Sequence, residues 1–362
     1  MIDRNDIMNM VKNYDNPTIT VIGSHSALEI MDGAKDEGLK TLVICQKGRE
    51  KPYQRFKRLA DDILILDRFA DMLKPEIQML LKSKNAIVIP HRSFVVYLGY
   101  NAIENDLRLP IFGSRRLLRA EERTVEKNQY YLLEKAKIKH PRILKAEEID
   151  TPAIVKVQEA KRKLERAFFI VNSYEDYKRK AEERINAGII SREDLENSVI
   201  EELAIGTYFN FNFFNSLIED RVEFLGIERR LQTNMYDFVN MPARHQLDID
   251  IELQNIEIGH MPASIRESML EKVIDLGDRF VEACKDEYPP GMIGPFSLQS
   301  VVTKDLEIIV YDVSFRVPGN PILATTSPYT KYMYGTVFGV GRRIAMEIKN
   351  AYKARDLAKI VT

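Results

Sequence analysis

Short apolar runs rich in β-branched residues recur along the first third of the chain. They are "TITVIG" (18–23), "KTLVIC" (40–45), "DILIL" (62–66) and "NAIVIP" (85–90). Between them the apolar positions take helical spacing, in "SALEIMDGAKDEG" closing on Gly38, and over 69–82 and 93–105. Continuous apolar strands alternating with helices predict an open parallel sheet covered on both faces. The pattern then changes. A charged helix is expected over 121–137 and a second helix over 174–187. "VIEELAIGTYFNFNFF" and "RVEFLGIERR" have antiparallel strand character. A long helix spans about 264–286. "GMIGPFSLQSVV" and "LEIIVYDVSFRV" predict a hairpin of buried strands around "TKD" (303–305), and an amphipathic helix covers 336–355. The fold class is therefore an α/β N-terminal domain with an open parallel sheet, followed by a mixed α+β region.

One stretch resists this division. "IVKVQEAKRKLERAFFIV" (154–171) has two apolar strands joined by about ten residues, without glycine and with Lys161, Arg162, Lys163 and Arg166 between them.

Composition narrows the function classes. The 362 residues carry a net charge of −1, with 45% hydrophobic and 30% charged residues. A global attraction to nucleic acid or anionic membrane is not expected, although a local basic site is compatible. Two cysteines, Cys45 and Cys284, are too few for a disulfide framework or a cysteine-rich metal site and fit a reducing cytoplasm. No apolar run is long enough to span a bilayer, and the N-terminus does not read as a secretion signal.

In an open α/β sheet, ligands bind at the C-terminal strand ends, which here carry "GSHS" (23–26), "CQKGR" (45–49) and "PHRS" (90–93). Ser24, His25, His91 and Ser93 place imidazoles and hydroxyls where helix N-termini offer free N–H groups, a setting for an anion or sugar phosphate. Helix capping by the serines is the plainer alternative. In "FGSRRLLRAEER" (112–123), Arg115 and Arg116 are expected to face a phosphate, and Arg119 to pair with Glu122. Glu201 and Glu202 end one strand. Gln299 and Asp312 lie on the two hairpin strands, an oxygen pair of the kind that serves Mg²⁺-nucleotide sites. Arg316 falls on the face of Asp312 by period-two counting. His140, His245 and His260 lack metal-ligand spacing, and no nucleophile elbow or phosphate-binding P-loop motif is present.

Taken in order, "GSHSALEI", "KGREKPYQRF", "PHRSFVVYLG", "FGSRRLLR", "EELAIGTYF", "MPARHQL", "MPASIRESML", "PPGMIGPFSLQS" and "GRRIAMEIK" resemble the archaeal formate-dependent FAICAR synthetases, the PurP family. The resemblance covers nearly the whole chain. It implies an ATP-grasp ligase of purine (IMP) biosynthesis that joins formate to the amine of the purine intermediate AICAR, using ATP and Mg²⁺ through formyl phosphate. It divides the chain into a preATP-grasp-like domain (1–120), an ATP-grasp small lobe (121–205) and a large lobe (206–362). It assigns Ser24, His25, Ser93 and His260 to the AICAR nucleotide. Lys156, Glu201, Glu202 and Gln232 fall to ATP, Gln299 and Asp312 to Mg²⁺, and Arg316 to catalysis. Partners are a purine nucleotide and formate, with no nucleic acid or membrane, and the implied assembly is a homo-oligomer.

Departures from the family pattern cluster on the phosphate and metal side. The segment 157–167 stands where the family has a glycine-rich loop whose amides close over ATP phosphates. Asp312 replaces Glu, "GNPI" (319–322) replaces "GGTN", His260 replaces Asn, Gln232 replaces Glu, and Tyr131 stands for a helix lysine. Each lost charge-assisted phosphate contact costs about 1.5–3 kcal/mol, so ATP and Mg²⁺ are expected to bind weakly. Lysines and arginines in the loop supply charge as points and not as an amide nest. Two alternatives follow: a non-catalytic purine-nucleotide-binding paralogue, acting as sensor or partner of an active synthetase, and a ligase for a different nucleotide amine.

Overall fold

A computed structural model describes residues 1–123, 125–157, 167–248, 253–254 and 256–362. The glycine-free loop and its four basic side chains lie outside the described residues.

Strands β1 (Thr18–Ile22), β2 (Lys40–Gln46), β3 (Asp62–Leu66) and β4 (Ala86–Val88) form an all-parallel sheet in the order β3-β2-β1-β4. Central β1 is buried at every position, which is why its sequence runs without alternation. The expected helix over 93–105 is two helices, Arg92–Leu98 and Tyr100–Asn105, broken at Gly99 with φ +77°. The expected 121–137 helix is confined to Gln129–Lys135. Asn128 caps it by accepting from the Tyr130 and Tyr131 amides, and a 3₁₀ turn covers Leu117–Glu121.

A second, antiparallel sheet contains β5 (Ile143–Leu144), β6 (Ala153–Val157), β7 (Ala167–Val171) and β8 (Val199–Glu202). The third sheet follows with β9 (Thr207–Ser216) and β10 (Arg221–Gln232). Strand β11 (Leu253–Gln254) extends the second sheet beside β7, while β12 (Glu257–Ala263), β13 (Gly294–Val302) and β14 (Ile308–Ser314) complete the third, in the order β12-β10-β9-β13-β14. Phe211, Phe213, Phe224 and Phe296 of this sheet pack with Phe280 of the helix Leu270–Glu287. Strand β12 has no counterpart among the elements read from the sequence.

The first and third sheets are joined at the site. His91, just past β4, bridges in parallel to Val317, just past β14. The C-terminal helix Val340–Ala354 returns to the first sheet and crosses the helix Ala27–Asp36 through two glycines. A Cβ on Gly33 would lie 2.0 Å from the Arg342 nitrogen, and one on Gly341 would lie 2.4 Å from the Glu29 carbonyl oxygen. Both obstacles are backbone, so neither can yield by a rotamer change. Gly33→Ala should lower stability by about 1–3 kcal/mol, measured as a shift of the chemical-denaturation midpoint. An unchanged midpoint would show that the crossing relaxes.

Candidate active site

The strand ends of the parallel sheet hold a short polar chain. Ser24 and Ser93 hydroxyls lie 3.0 Å apart. His25 Nδ1 is 2.7 Å from Ser26 Oγ, and Ser26 Oγ donates to the Pro318 carbonyl at 3.1 Å. His25 itself has φ +47°, a left-handed conformation that is costly outside glycine and concentrates at functional sites. His91 is fully buried, stacks with His25 at 5.7 Å and donates from Nε2 to the Ile22 carbonyl at 3.1 Å. Protein packed around the ring, with Arg316 and the neighbouring imidazole adding to it, lowers the pKa of His25, although the residue keeps an exposed surface. Burial lowers His91 to about 4. Both rings are neutral near pH 7.

Facing them, one polar row crosses the third sheet. Glu228 of β10 opposes Asn210 of β9, which opposes Gln299 of β13, which opposes Asp312 of β14. Asn210 donates to Glu228 at 2.6 Å, and Gln299 Nε2 donates to Asp312 at 2.9 Å. Arg230 stands beside the row: Nη1 donates to Gln299 Oε1 at 3.1 Å and Nε lies 3.2 Å from Glu257. On β12, His260 Nδ1 is 3.2 Å from Glu228 and its Nε2 is 3.0 Å from Glu257. Carboxylate oxygens only accept, so this ring donates from both nitrogens and is an imidazolium. Burial opposes that charge, but hydrogen bonds to both carboxylates outweigh it and raise His260 to about 9. Glu257, despite its own burial, is held down to about 2 by His260 and Arg230.

This assigns a sign to the pH dependence. The folded value of His260 exceeds the roughly 6.5 of an unfolded histidine. Its contribution to stability is therefore complete below that value and is lost as pH rises through about 9. Histidine-resolved NMR titration should find one ring protonated well above pH 7; a midpoint for His260 below 7 would contradict the double ion pair.

Lys156 on β6 pairs with Glu201 on β8, and both are buried. Glu201 also receives the Tyr130 hydroxyl and lies 3.6 Å from Arg123. Strand alternation turns Glu202 to the outer face, where it pairs with Arg142 at 3.0 Å, so the two acids do not act together. Gln232 ends β10 and, with Arg229, Arg230, Tyr208, Tyr236 and Tyr311, lines a small open hollow. Aromatic faces and guanidinium donors suit a base and its phosphates. Arg316 lies in a bend beyond β14, not on the strand, and pairs with Glu121 at 3.2 Å. Glu121 also faces Arg92 at 3.5 Å. The expected phosphate contact of Arg115 does not form: its buried guanidinium donates to the carbonyls of Ile103, Leu107, Leu109 and Thr362. Arg119 pairs with Glu104 and not with Glu122.

Gln299 and Asp312 are hard oxygen donors, the right chemistry for Mg²⁺. Here, however, Arg123 occupies Asp312 at 2.8 Å and Arg230 occupies Gln299. Among the described residues no three His, Cys, Asp or Glu side chains are placed to hold a metal ion. As arranged, the pair does not fit a divalent cation. Among the described residues, no helix is long and apolar enough to cross a membrane.

Sequence reasoning missed Arg123, Glu228, Arg230 and Glu257. Glu228 alone carried a signal, as an acid inside an otherwise buried strand.

Two family descriptions match the chain: a protein of unknown function (DUF1246) over residues 19–144 and a domain of unknown function (DUF1297) over 176–362. The 5-formaminoimidazole-4-carboxamide-1-(beta)-D-ribofuranosyl 5'-monophosphate synthetase of Methanopyrus kandleri is 43% identical over 366 residues, covering 100% of both chains. The protein of the same name from Methanocaldococcus jannaschii is 40% identical over 367 residues, again covering 100% of both. Among solved structures, the IMP biosynthesis protein PurP from Thermococcus kodakaraensis superposes with TM-score 0.72 at 27% identity, covering 95% of this chain and 100% of that one. The ADP complex of PurK, N5-carboxyaminoimidazole ribonucleotide synthetase, superposes with TM-score 0.58 at 15% identity, covering 88% and 76%, and shows the fold alone. The architecture is a parallel-sheet N-terminal domain with an ATP-grasp α+β region. Identity sustained from end to end, on that fold, establishes that the chain belongs to the 5-formaminoimidazole-4-carboxamide-1-(beta)-D-ribofuranosyl 5'-monophosphate (FAICAR) synthetase family.

Proposed function

We propose that the chain is an ATP-dependent ligase that joins formate to the exocyclic amine of AICAR, forming FAICAR in purine biosynthesis. The end-to-end identity with synthetases of that name carries this reading. The polar row of the third sheet facing the histidines of the first supports it. Bound ATP supplies the phosphoryl group that activates formate. His25, Ser24, Ser93 and His260 hold the AICAR nucleotide, while Lys156, Glu201 and Gln232 hold ATP. Glu202 reaches the same strand end, but Arg142 engages its carboxylate. Arg316, backed by Glu121, supplies positive charge where the formyl group is transferred. Gln299 and Asp312 keep Arg123 and Arg230 in place and so set the positive field of the phosphate side.

The test is a turnover assay with AICAR, formate, ATP and Mg²⁺. ADP and phosphate release should require both AICAR and formate. Release that ignores either one would overturn the reading. AICAR binding with no turnover would instead identify a nucleotide-binding paralogue.

A further inference from the structure

We propose that the Arg123 guanidinium is the resident cation of the Gln299–Asp312 pair, standing where a divalent ion would be held, so that the chain takes up ATP without a protein-bound metal. The inference rests on the ATP-dependent reading above and deepens it by naming the form of the nucleotide.

Three observations converge. First, every side-chain oxygen that the pair could offer a metal already faces an N–H donor. Asp312 Oδ1 accepts from Arg123 Nη2 at 2.8 Å, and its Oδ2 accepts from Gln299 Nε2 at 2.9 Å. Gln299 Oε1 accepts from Arg230 Nη1 at 3.1 Å. The amide cannot turn round. A flipped Gln299 would set its oxygen against a carboxylate and its NH₂ against a guanidinium, neither of which makes a hydrogen bond.

Second, Arg123 stands between acids as a metal would. Asp312 belongs to the third sheet and Glu201, 3.6 Å from Arg123 Nε, to the second. One guanidinium therefore ties the carboxylates of two sheets. Burial opposes its charge, but Asp312, Tyr130 and Glu201 outweigh burial and raise its pKa further.

Third, the guanidinium is built in. The Arg123 side chain is only 6% exposed. Its Nε donates to the Tyr130 hydroxyl at 3.1 Å, and its carbonyl accepts from Asn128 Nδ2 at 2.9 Å. Asn128 is also the cap of the helix that carries Tyr130, so backbone and side chain are both anchored to one helix start. A Mg²⁺ ion on Asp312 would have to expel this group or share a carboxylate with it, and like charges repel strongly at a buried site.

ATP is titrated calorimetrically against the whole chain, once with EDTA and once with excess Mg²⁺. The two dissociation constants should agree within about threefold. Binding at least about tenfold tighter with Mg²⁺ overturns the proposal. The second probe is Mn²⁺ alone, followed by its paramagnetic resonance signal. Unmodified protein should leave the signal of the free ion. Arg123→Met should gain a Mn²⁺ site, and adding Asp312→Asn to that variant should remove it. Mn²⁺ binding by unmodified protein that Asp312→Asn abolishes, or no site gained in Arg123→Met, also overturns the proposal. If Arg123→Met fails to fold, the two ATP titrations decide alone. Each of these overturning results leaves the ligase reading standing, because that reading is decided by the dependence of ADP release on AICAR and formate. Failure of unmodified protein to bind ATP under either condition overturns both.

Discussion

Replacing Arg343 by methionine should lower the free energy of unfolding by about 3–5 kcal/mol, because it strands two buried carboxylates. Arg343 is fully buried on the C-terminal helix. Its Nε lies 2.6 Å and its Nη2 3.0 Å from Glu223, and Nη1 lies 3.0 Å from Glu347. The guanidinium also stacks over Phe214 at 4.2 Å. Glu223 and Glu347 keep neutral partners, the Tyr334 hydroxyl, the Ser216 hydroxyl and the Ile218 amide. Among the described residues, Arg221 is the one other cation within 4 Å of either, at 3.0 Å from Glu223. The volume of methionine fills the space but not the charge. A triple variant that also makes both acids leucine should regain most of the loss, since removing a whole buried ionic set is often near neutral. Chemical denaturation of the single and triple variants measures this. A single-variant loss under about 1 kcal/mol would mean that Arg221 or solvent compensates.

The parallel sheet was legible because burial on both faces writes itself as uninterrupted apolar runs, as in "TITVI" and "KTLVIC". The β13–β14 hairpin was legible for the same reason, with β13 buried at all nine positions. The "EERTVEK" segment misled because a high density of Glu, Lys and Arg raises helix propensity wherever it falls. There the chain turns, and Asn128 starts the helix late. Strand β12 was invisible because it is an edge strand, half exposed, with Gly and Pro inside "EIGHMPA".

That invisibility hid half of the site. Glu257 and His260 are three apart, which places them on opposite faces of a regular strand. In β12 the pairing runs His260 with Arg230, Gly259 with Leu231, then Glu257 with Gln232, and Ile258 is the extra residue of a bulge. Ile258 is pushed outward, 71% exposed, and Glu257 is returned to the face of His260. A second irregularity, between Gln299 and Ser300, sets Tyr311 as the extra residue beside Asp312. Alternation counting cannot anticipate either bulge. Histidines and serines at strand ends announce themselves by type and place. Arginine–acid pairings such as Arg230–Glu257 or Arg316–Glu121 exist only once three sheets are assembled.

Lys156→Met should reduce kcat/KM for ATP by about 10²–10³-fold, the scale set by losing one preorganised charge contact to a reacting group. Lys156 is buried, and burial pushes its pKa down even with Glu201 pairing it. It also lies 5.6 Å from the ring of Tyr311, which lines the open hollow. Two roles would each explain a loss: a direct contact to nucleotide phosphate, or a counter-ion that merely keeps Glu201 in place. A double variant separates them. Among the described residues, Lys156→Met alone leaves Glu201 with only Arg123, at 3.6 Å, as a cation partner, and should be less stable. Lys156→Met with Glu201→Gln removes the stranded charge and should recover stability under either role. If Lys156 touches the nucleotide, the double variant stays less active than Glu201→Gln alone and its ATP dissociation constant stays higher than in that single variant. If it only neutralises Glu201, the double variant matches Glu201→Gln alone in activity and ATP affinity, and the assignment of Lys156 to the nucleotide fails. The coupling between the two substitutions is therefore expected to be large for unfolding and small for kcat/KM.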